Sequence, residues 1–144
     1  MKAWKGLLPI ILTILFVPSV IAQSSPEGNW TTIDDKTGKK RAEVHLSITN
    51  GVLSGTILKV YPQPGDTGVC NNCPGKLKNQ PAVGLRFVWG LREKSPGLWS
   101  GGEIVDGKTG KVYRVKMSVK GNKLYVRGYV GVSMLGRTQI WERA

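Results

Sequence analysis

A chain of 144 residues is enough for one hydrophobic core and too short for two ordinary domains. Its 21 basic residues against 9 acidic ones give a formal charge of +12. That balance favours anionic partners: phospholipid or lipopolysaccharide surfaces, nucleic acid or acidic glycans. One histidine and two cysteines leave too few of the usual ligands for a structural zinc site, which takes four.

The chain opens with a basic start, Lys2 and Lys5, and an apolar run from Leu7 to Val17 broken by Pro9 and Thr13. Val20-Ile21-Ala22 supplies the small residues that a secretory peptidase reads, so residues 1–22 are expected to be a signal peptide removed on export. The run is too short to span a bilayer, which takes about 20 residues. A single domain is expected from Gln23 to Ala144, with no later transmembrane segment, in the periplasm or outside the cell. It keeps a strong basic excess after Lys2 and Lys5 are lost.

Beyond Gln23, β-branched and aromatic residues alternate with polar ones between evenly spread glycines, the pattern of short antiparallel strands. Gly28 to Ile33 is the first expected strand. In "RAEVHLSITNGVLSGTILKV" the Asn50-Gly51 turn sets Ile48 opposite Leu53, Leu46 opposite Gly55 and Val44 opposite Ile57 on one apolar face. Arg41, Glu43, His45 and Ser47 fall on the other, so period-two alternation fixes the register. His45 is then a solvated surface residue with no visible partner.

The connection from Tyr61 to Ala82 holds four prolines, no helical pattern, and Cys70-Asn71-Asn72-Cys73. A redox C-x-x-C sits at a helix N-terminus inside a strand–helix unit, and neither surrounds this one. The remaining reading is a local disulfide formed after export, pinning one end of a loop. Val83 to Leu91 and Leu98 to Val105 are the next expected strands.

In "VYRVKMSVKGNKLYVRGYV" the Gly121-Asn122 turn sets Val119 opposite Leu124, Met117 opposite Val126, Val115 opposite Gly128 and Tyr113 opposite Val130. The other face pairs Ser118 with Tyr125, Lys116 with Arg127 and Arg114 with Tyr129. Like charges directly opposite are unfavourable. Either Lys116 and Arg127 splay into water, or Arg114, Lys116, Tyr125, Arg127 and Tyr129 form a basic, aromatic platform for an anionic surface. Gly136 to Arg143 is the last strand. Asp34–Lys40 (DDKTGKK) and Asp106–Lys111 (DGKTGK) are near-repeats, read as hairpin tips, since neither has phosphate-loop spacing. About eight strands result, and closure into a barrel removes their exposed edges.

These residues together resemble the bacterial secreted family known as domain of unknown function 2147. The resemblance is carried by Gly28-Asn29-Trp30, Asp34-Asp35-Lys36-Thr37-Gly38, Cys70-Asn71-Asn72-Cys73, Gly84-Leu85 and Trp99-Ser100-Gly101-Gly102. It continues through Gly110-Lys111-Val112-Tyr113, Leu124 to Tyr129 and Leu135 to Trp141. Asp106-Gly107 departs from the family's usual Asp-Pro. Gly28 to Trp30 also resembles the Gly-x-Trp opening of lipocalin-type barrels. That resemblance implies a late-strand arginine, here Arg137 or Arg143, stacked on Trp30. A lipocalin-like closed antiparallel barrel of about eight strands is therefore expected, ahead of a β-sandwich, with one long disulfide-pinned loop.

No catalytic constellation emerges: the one histidine lies mid-strand and the carboxylates are scattered, several in turns. No catalytic residue, metal or cofactor is expected, and nucleic acid is not an expected partner. The leading expectation is an exported, non-catalytic barrel that binds a small or lipid-like ligand. Trp30, Trp89, Trp99 and Trp141 are expected to line its interior or to form plain core. The rival is a module that docks a basic face on an anionic envelope surface of lipid, lipopolysaccharide or partner protein.

Overall fold

The computed structural model describes residues 3, 5–18, 25–132, 134 and 136–144. The expected cleavage motif Val20-Ile21-Ala22 and Gln23 lie outside these described residues. Residues 5–18 form neither helix nor strand, and apolar side chains such as Leu7, Ile10 and Phe16 are exposed. No helix among the described residues is long and apolar enough to cross a membrane.

Eight antiparallel strands follow: β1 Gly28–Ile33, β2 Lys40–Thr49, β3 Val52–Val60, β4 Arg86–Ser95, β5 Leu98–Val105, β6 Val112–Lys120, β7 Lys123–Tyr129 and β8 Gly136–Arg143. Each pairs with the next. β8 returns to β1 through Trp30 opposite Arg143 and Thr31 opposite Glu142, closing a barrel. Every strand thus has two partners, which no sandwich of the same strands provides.

Turn chemistry sets the registers. Asn50 and Gly51 both take positive φ, 51° and 77°, as the tight hairpin demands. Around them Ile48 pairs with Leu53, Leu46 with Gly55 and Val44 with Ile57. The β6–β7 hairpin pairs Val119 with Leu124, Met117 with Val126 and Val115 with Gly128. Its other face pairs Ser118 with Tyr125, Lys116 with Arg127 and Arg114 with Tyr129.

Two expectations are corrected. The β6–β7 ladder ends at Tyr129, so Tyr113 has no partner in Val130, which turns out into solvent at 57% exposure. The fourth strand begins at Arg86 rather than Val83 and runs to Ser95. Gly84 holds φ 90° within a turn that Leu85 N–H closes by donating to the Ala82 carbonyl at 3.1 Å, so the chain is not yet extended there. Val83 and Gly84 therefore belong to the preceding loop.

The barrel is filled along its inner rows. Trp30, Trp141, Leu46, Leu53, Leu91, Met117, Leu124, Val44, Val88 and Val115 are fully buried, each side chain contributing about 1.5–3 kcal/mol of hydrophobic stabilisation as an upper estimate. Phe87 packs on Trp141 with ring centroids 6.0 Å apart. The two ends differ. The closed end carries the tight turns at Asn50-Gly51, Pro96-Gly97 and Gly121-Asn122, beside residues 25–28 and Arg143. The loop end carries the four longer connections: 34–39, 61–85, 106–111 and the one between Tyr129 and Gly136.

Candidate functional site

The inward face of β8 samples the interior from end to end. Arg143 lies at the closed end, Trp141 in the core, Gln139 above it and Arg137 at the loop end. The Arg143 guanidinium lies 4.2 Å from the Trp30 ring centroid. It donates to the carbonyls of Glu27 and Ser25, each at 3.0 Å. The Trp30 indole N–H donates to the Pro26 carbonyl at 2.8 Å. Cation, ring and backbone thus form a closed floor. Of the two arginines expected as the stacking partner, Arg143 holds that position and Arg137 does not.

Arg137 instead forks onto the Asp35 carboxylate, Nε and Nη2 donating to Oδ2 at 3.0 and 2.6 Å. Those hydrogen bonds, and the Asp35 charge behind them, hold the guanidinium above its usual pKa, so it stays charged at any working pH. The Arg137 side chain is 59% exposed. Tyr113 stands at the loop end of β6, where the Lys111 ammonium sits 5.6 Å from its ring. Sequence reasoning missed Asp35 and Tyr113 as rim residues. The Asp34-Asp35 doublet held a usable signal, since only one aspartate is needed to make the turn.

The two near-repeat turns are structural twins. Asp34 Oδ1 accepts from the backbone N–H of Lys36 and Thr37, and Asp106 Oδ1 accepts from those of Lys108 and Thr109. Gly38 N–H donates to the Asp34 carbonyl and Gly110 N–H to that of Asp106. The Thr37 and Thr109 hydroxyls accept from Lys39 and Lys111 N–H. The Thr37 and Lys36 amides hold the Asp34 carboxyl below its usual pKa. With each first aspartate turned onto its own backbone, the lysines of both turns project outward and are exposed.

Cys70 and Cys73 are joined by a disulfide and are buried, each at 2% exposure. The loop they close leans on the second twin turn: the Asn72 side-chain amide donates to the Lys108 carbonyl at 3.2 Å. The Asn72 carbonyl lies so near Gly110 that a Cβ there would overlap it. A recess of about 370 Å³ opens beside this loop between Lys76, Leu77, Gln80, Val83, Leu85 and Arg86.

The four tryptophans do not form one set. Trp30, Trp99 and Trp141 are buried. Trp89 is half-buried and shares a cross-strand row with Glu103 and Arg114 on the outer wall. Within the described residues, the buried Trp99 indole N–H has no hydrogen-bond partner.

Arg114, Lys116, Tyr125, Arg127 and Tyr129 all lie on that outer wall, Arg114 exposed and the rest half-buried. They are not a plain solvated platform. Arg127 Nη1 donates to the Thr138 hydroxyl at 2.8 Å and Nη2 to the Met134 carbonyl at 3.2 Å, strapping down the β7–β8 connection. Lys120 sits 4.6 Å over the Tyr125 ring. Glu103 stands opposite Arg114 beside a recess of about 310 Å³. His45, on the outer face of β2, meets Asn29 on the paired strand, Nδ1 to Oδ1 2.6 Å; this corrects its expected isolation.

Comparison with solved structures gives the same architecture from outside. The chain is similar to a protein whose structure is described as "Protein HP1028 from the human pathogen Helicobacter pylori belongs to the lipocalin family". The TM-score is 0.72 and the identity 21%, over 83% of each chain. At that identity the likeness establishes a shared lipocalin-like fold. No curated protein sequence matches the chain. The family model described as "Uncharacterized protein conserved in bacteria (DUF2147)" matches residues 28–143, from the first residue of β1 to the last of β8. The chain belongs to that family.

Proposed function

We propose that the protein is exported, loses residues 1–22 after Ala22, and acts without catalysis as a binder of a small amphipathic molecule. The ligand is lipid-like, with an acidic head group, and enters at the loop end of the barrel. The observation that carries this reading is the gradient along the inner face. A floor sealed by Trp30 and Arg143 gives way to a rim where Arg137 is more than half exposed and held by the Asp35 carboxylate. A carboxylate on an exposed tip is a partner that a ligand's own acid can replace, and arginine's planar fork suits that exchange. Tyr113 and Gln139, both half-buried, offer further polar contacts above the packed core. The lipocalin-like architecture supports the reading, because barrels of about eight strands are wide enough for one such molecule. A disulfide in the long loop supports an oxidising compartment.

The test is lipid-extraction mass spectrometry on protein recovered from bacterial envelopes, followed by titration with a fluorescent long-chain fatty acid. Intact mass should show the first 22 residues gone. Arg137→Gln should weaken fatty-acid binding at least tenfold, the usual scale for a charged hydrogen-bonded contact. Asp35→Asn should strengthen it by releasing Arg137. Equal affinities across the three proteins would overturn the proposal.

A further inference from the structure

The closed strand order arranges the loop end in a way that no single loop reveals. Around the rim come, in turn, the first twin turn, the long β3–β4 loop, the second twin turn and the β7–β8 connection. The twin turns present Lys36, Lys39, Lys108 and Lys111, all exposed. The other two connections present apolar side chains: Val69 and Val83 at 36% and 57% exposure, and Val130, Val132 and Met134 at 57%, 60% and 85%. Basic and apolar elements therefore alternate around one rim. Lys76, Lys78 and Arg86, all exposed, add to the charge beside Val83.

The aspartates at this end offset only part of it, four of them (Asp34, Asp35, Asp66 and Asp106) against the seven basic residues just named. Asp34 and Asp106 accept backbone N–H groups, Asp35 holds Arg137, and Asp66 faces Arg41 at 3.7 Å. The closed end differs. Among the described residues of the barrel, its tight turns expose no large apolar side chain, Lys123 pairs with Glu142 across the strands, and Glu27 and Glu93 stand against Arg92, Lys94, Lys120 and Arg143 at the same end.

Apolar side chains that protrude between lysines match one occupant by charge and by geometry: the surface of an anionic phospholipid bilayer. Lysine ammonium groups attract its head groups at about fivefold in affinity per residue. Valine and methionine side chains gain by entering the boundary between head groups and acyl chains. We infer that the loop rim docks on such a bilayer, with Val130, Val132 and Met134 entering it and the twin-turn lysines contacting the phosphates. This goes beyond the proposed ligand binding and does not depend on it. It also places the anionic surface at the rim rather than on the outer wall of Arg114, Lys116 and Arg127.

Exported protein, its mass first checked for loss of residues 1–22, is centrifuged with vesicles of phosphatidylcholine alone or with about one-third phosphatidylglycerol. Binding should appear only with the anionic lipid and fall steeply as salt is raised. Replacing Lys36, Lys39, Lys108 and Lys111 with glutamine should cut it by about 100-fold or more. Val132→Asp with Met134→Asp should cut it about tenfold or more, with an unchanged circular dichroism spectrum. Lys120→Gln with Lys123→Gln, at the closed end, should leave it within about twofold. If the closed-end pair weakens binding as much as an equal number of rim lysines, net charge alone is responsible and the rim has no special part. Equal binding to both vesicle types, or none to either, likewise overturns the inference. Fatty-acid titration of the same variants separates this result from the lumen reading.

Discussion

The twin turns provide an internal control for a single substitution. Gly38 and Gly110 occupy the same position in D-x-K-T-G-K, with φ 71° and 72° and the same hydrogen bonds. They differ in surroundings: a Cβ built on Gly38 meets nothing within 4 Å, whereas one on Gly110 overlaps the Asn72 backbone carbonyl. Alanine at either site bears the left-handed backbone, about 1–2 kcal/mol. At Gly110 it must also push the disulfide loop off the turn. That breaks the Asn72–Lys108 hydrogen bond, worth about 1 kcal/mol, and exposes part of the buried Cys70–Cys73 surface, about another 1–2 kcal/mol. Gly38→Ala should therefore cost about 1–2 kcal/mol and Gly110→Ala about 3–5 kcal/mol in urea unfolding followed by tryptophan fluorescence. In native buffer, dithiothreitol should reduce the disulfide faster in Gly110→Ala than in Gly38→Ala. If the two variants lose equal stability and resist reduction equally, the loop does not rest on the turn as described.

Two further outcomes test the closed end and the acid response. Arg143→Ala removes the cation from Trp30 and two donors from the carbonyls of Ser25 and Glu27; it should cost about 2–3 kcal/mol, with Arg143→Lys recovering about half, read from thermal melts. The Asp34 carboxyl has a folded pKa below its unfolded one. Its contribution is therefore fully present above about pH 4, the unfolded carboxyl value, and is lost as pH falls through the lowered folded value. Asp34→Asn should flatten the stability curve in that acid window and leave its slope at neutral pH unchanged.

The β2–β3 and β6–β7 registers were readable because Asn50-Gly51 and Gly121-Asn122 place the turn to the residue, and alternation then assigns every face. The start of β4 was not. Val83 and Leu85 are apolar enough to look like strand, while Arg92 to Ser95 are polar because that stretch faces water. The rim was harder still. Asp35 and Arg137 are 102 residues apart, and only closure of β8 onto β1 brings them together. The same closure decides that Arg143 rather than Arg137 meets Trp30. No local pattern encodes a pairing between the first and last strands. The twin turns were visible as a repeat, but the reason they matter depends on barrel order. Their lysines flank apolar loops only because the strands follow one another around a circle.

The closed floor also fixes where the chain enters and leaves. Arg143 bonds Ser25 and Glu27, and the Ala144 N–H donates to the Asn29 carbonyl at 3.0 Å. Residues 25 and 144 therefore emerge side by side, at the pole opposite the lysine-and-valine rim. A fluorophore or surface tether attached at either residue leaves that rim uncovered, so a barrel held through residue 25 or 144 offers its loops outward, all in one orientation. The same adjacency allows the two points to be joined by a short linker and the chain reopened at Asn50-Gly51, giving a circularly permuted barrel with its inner rows intact.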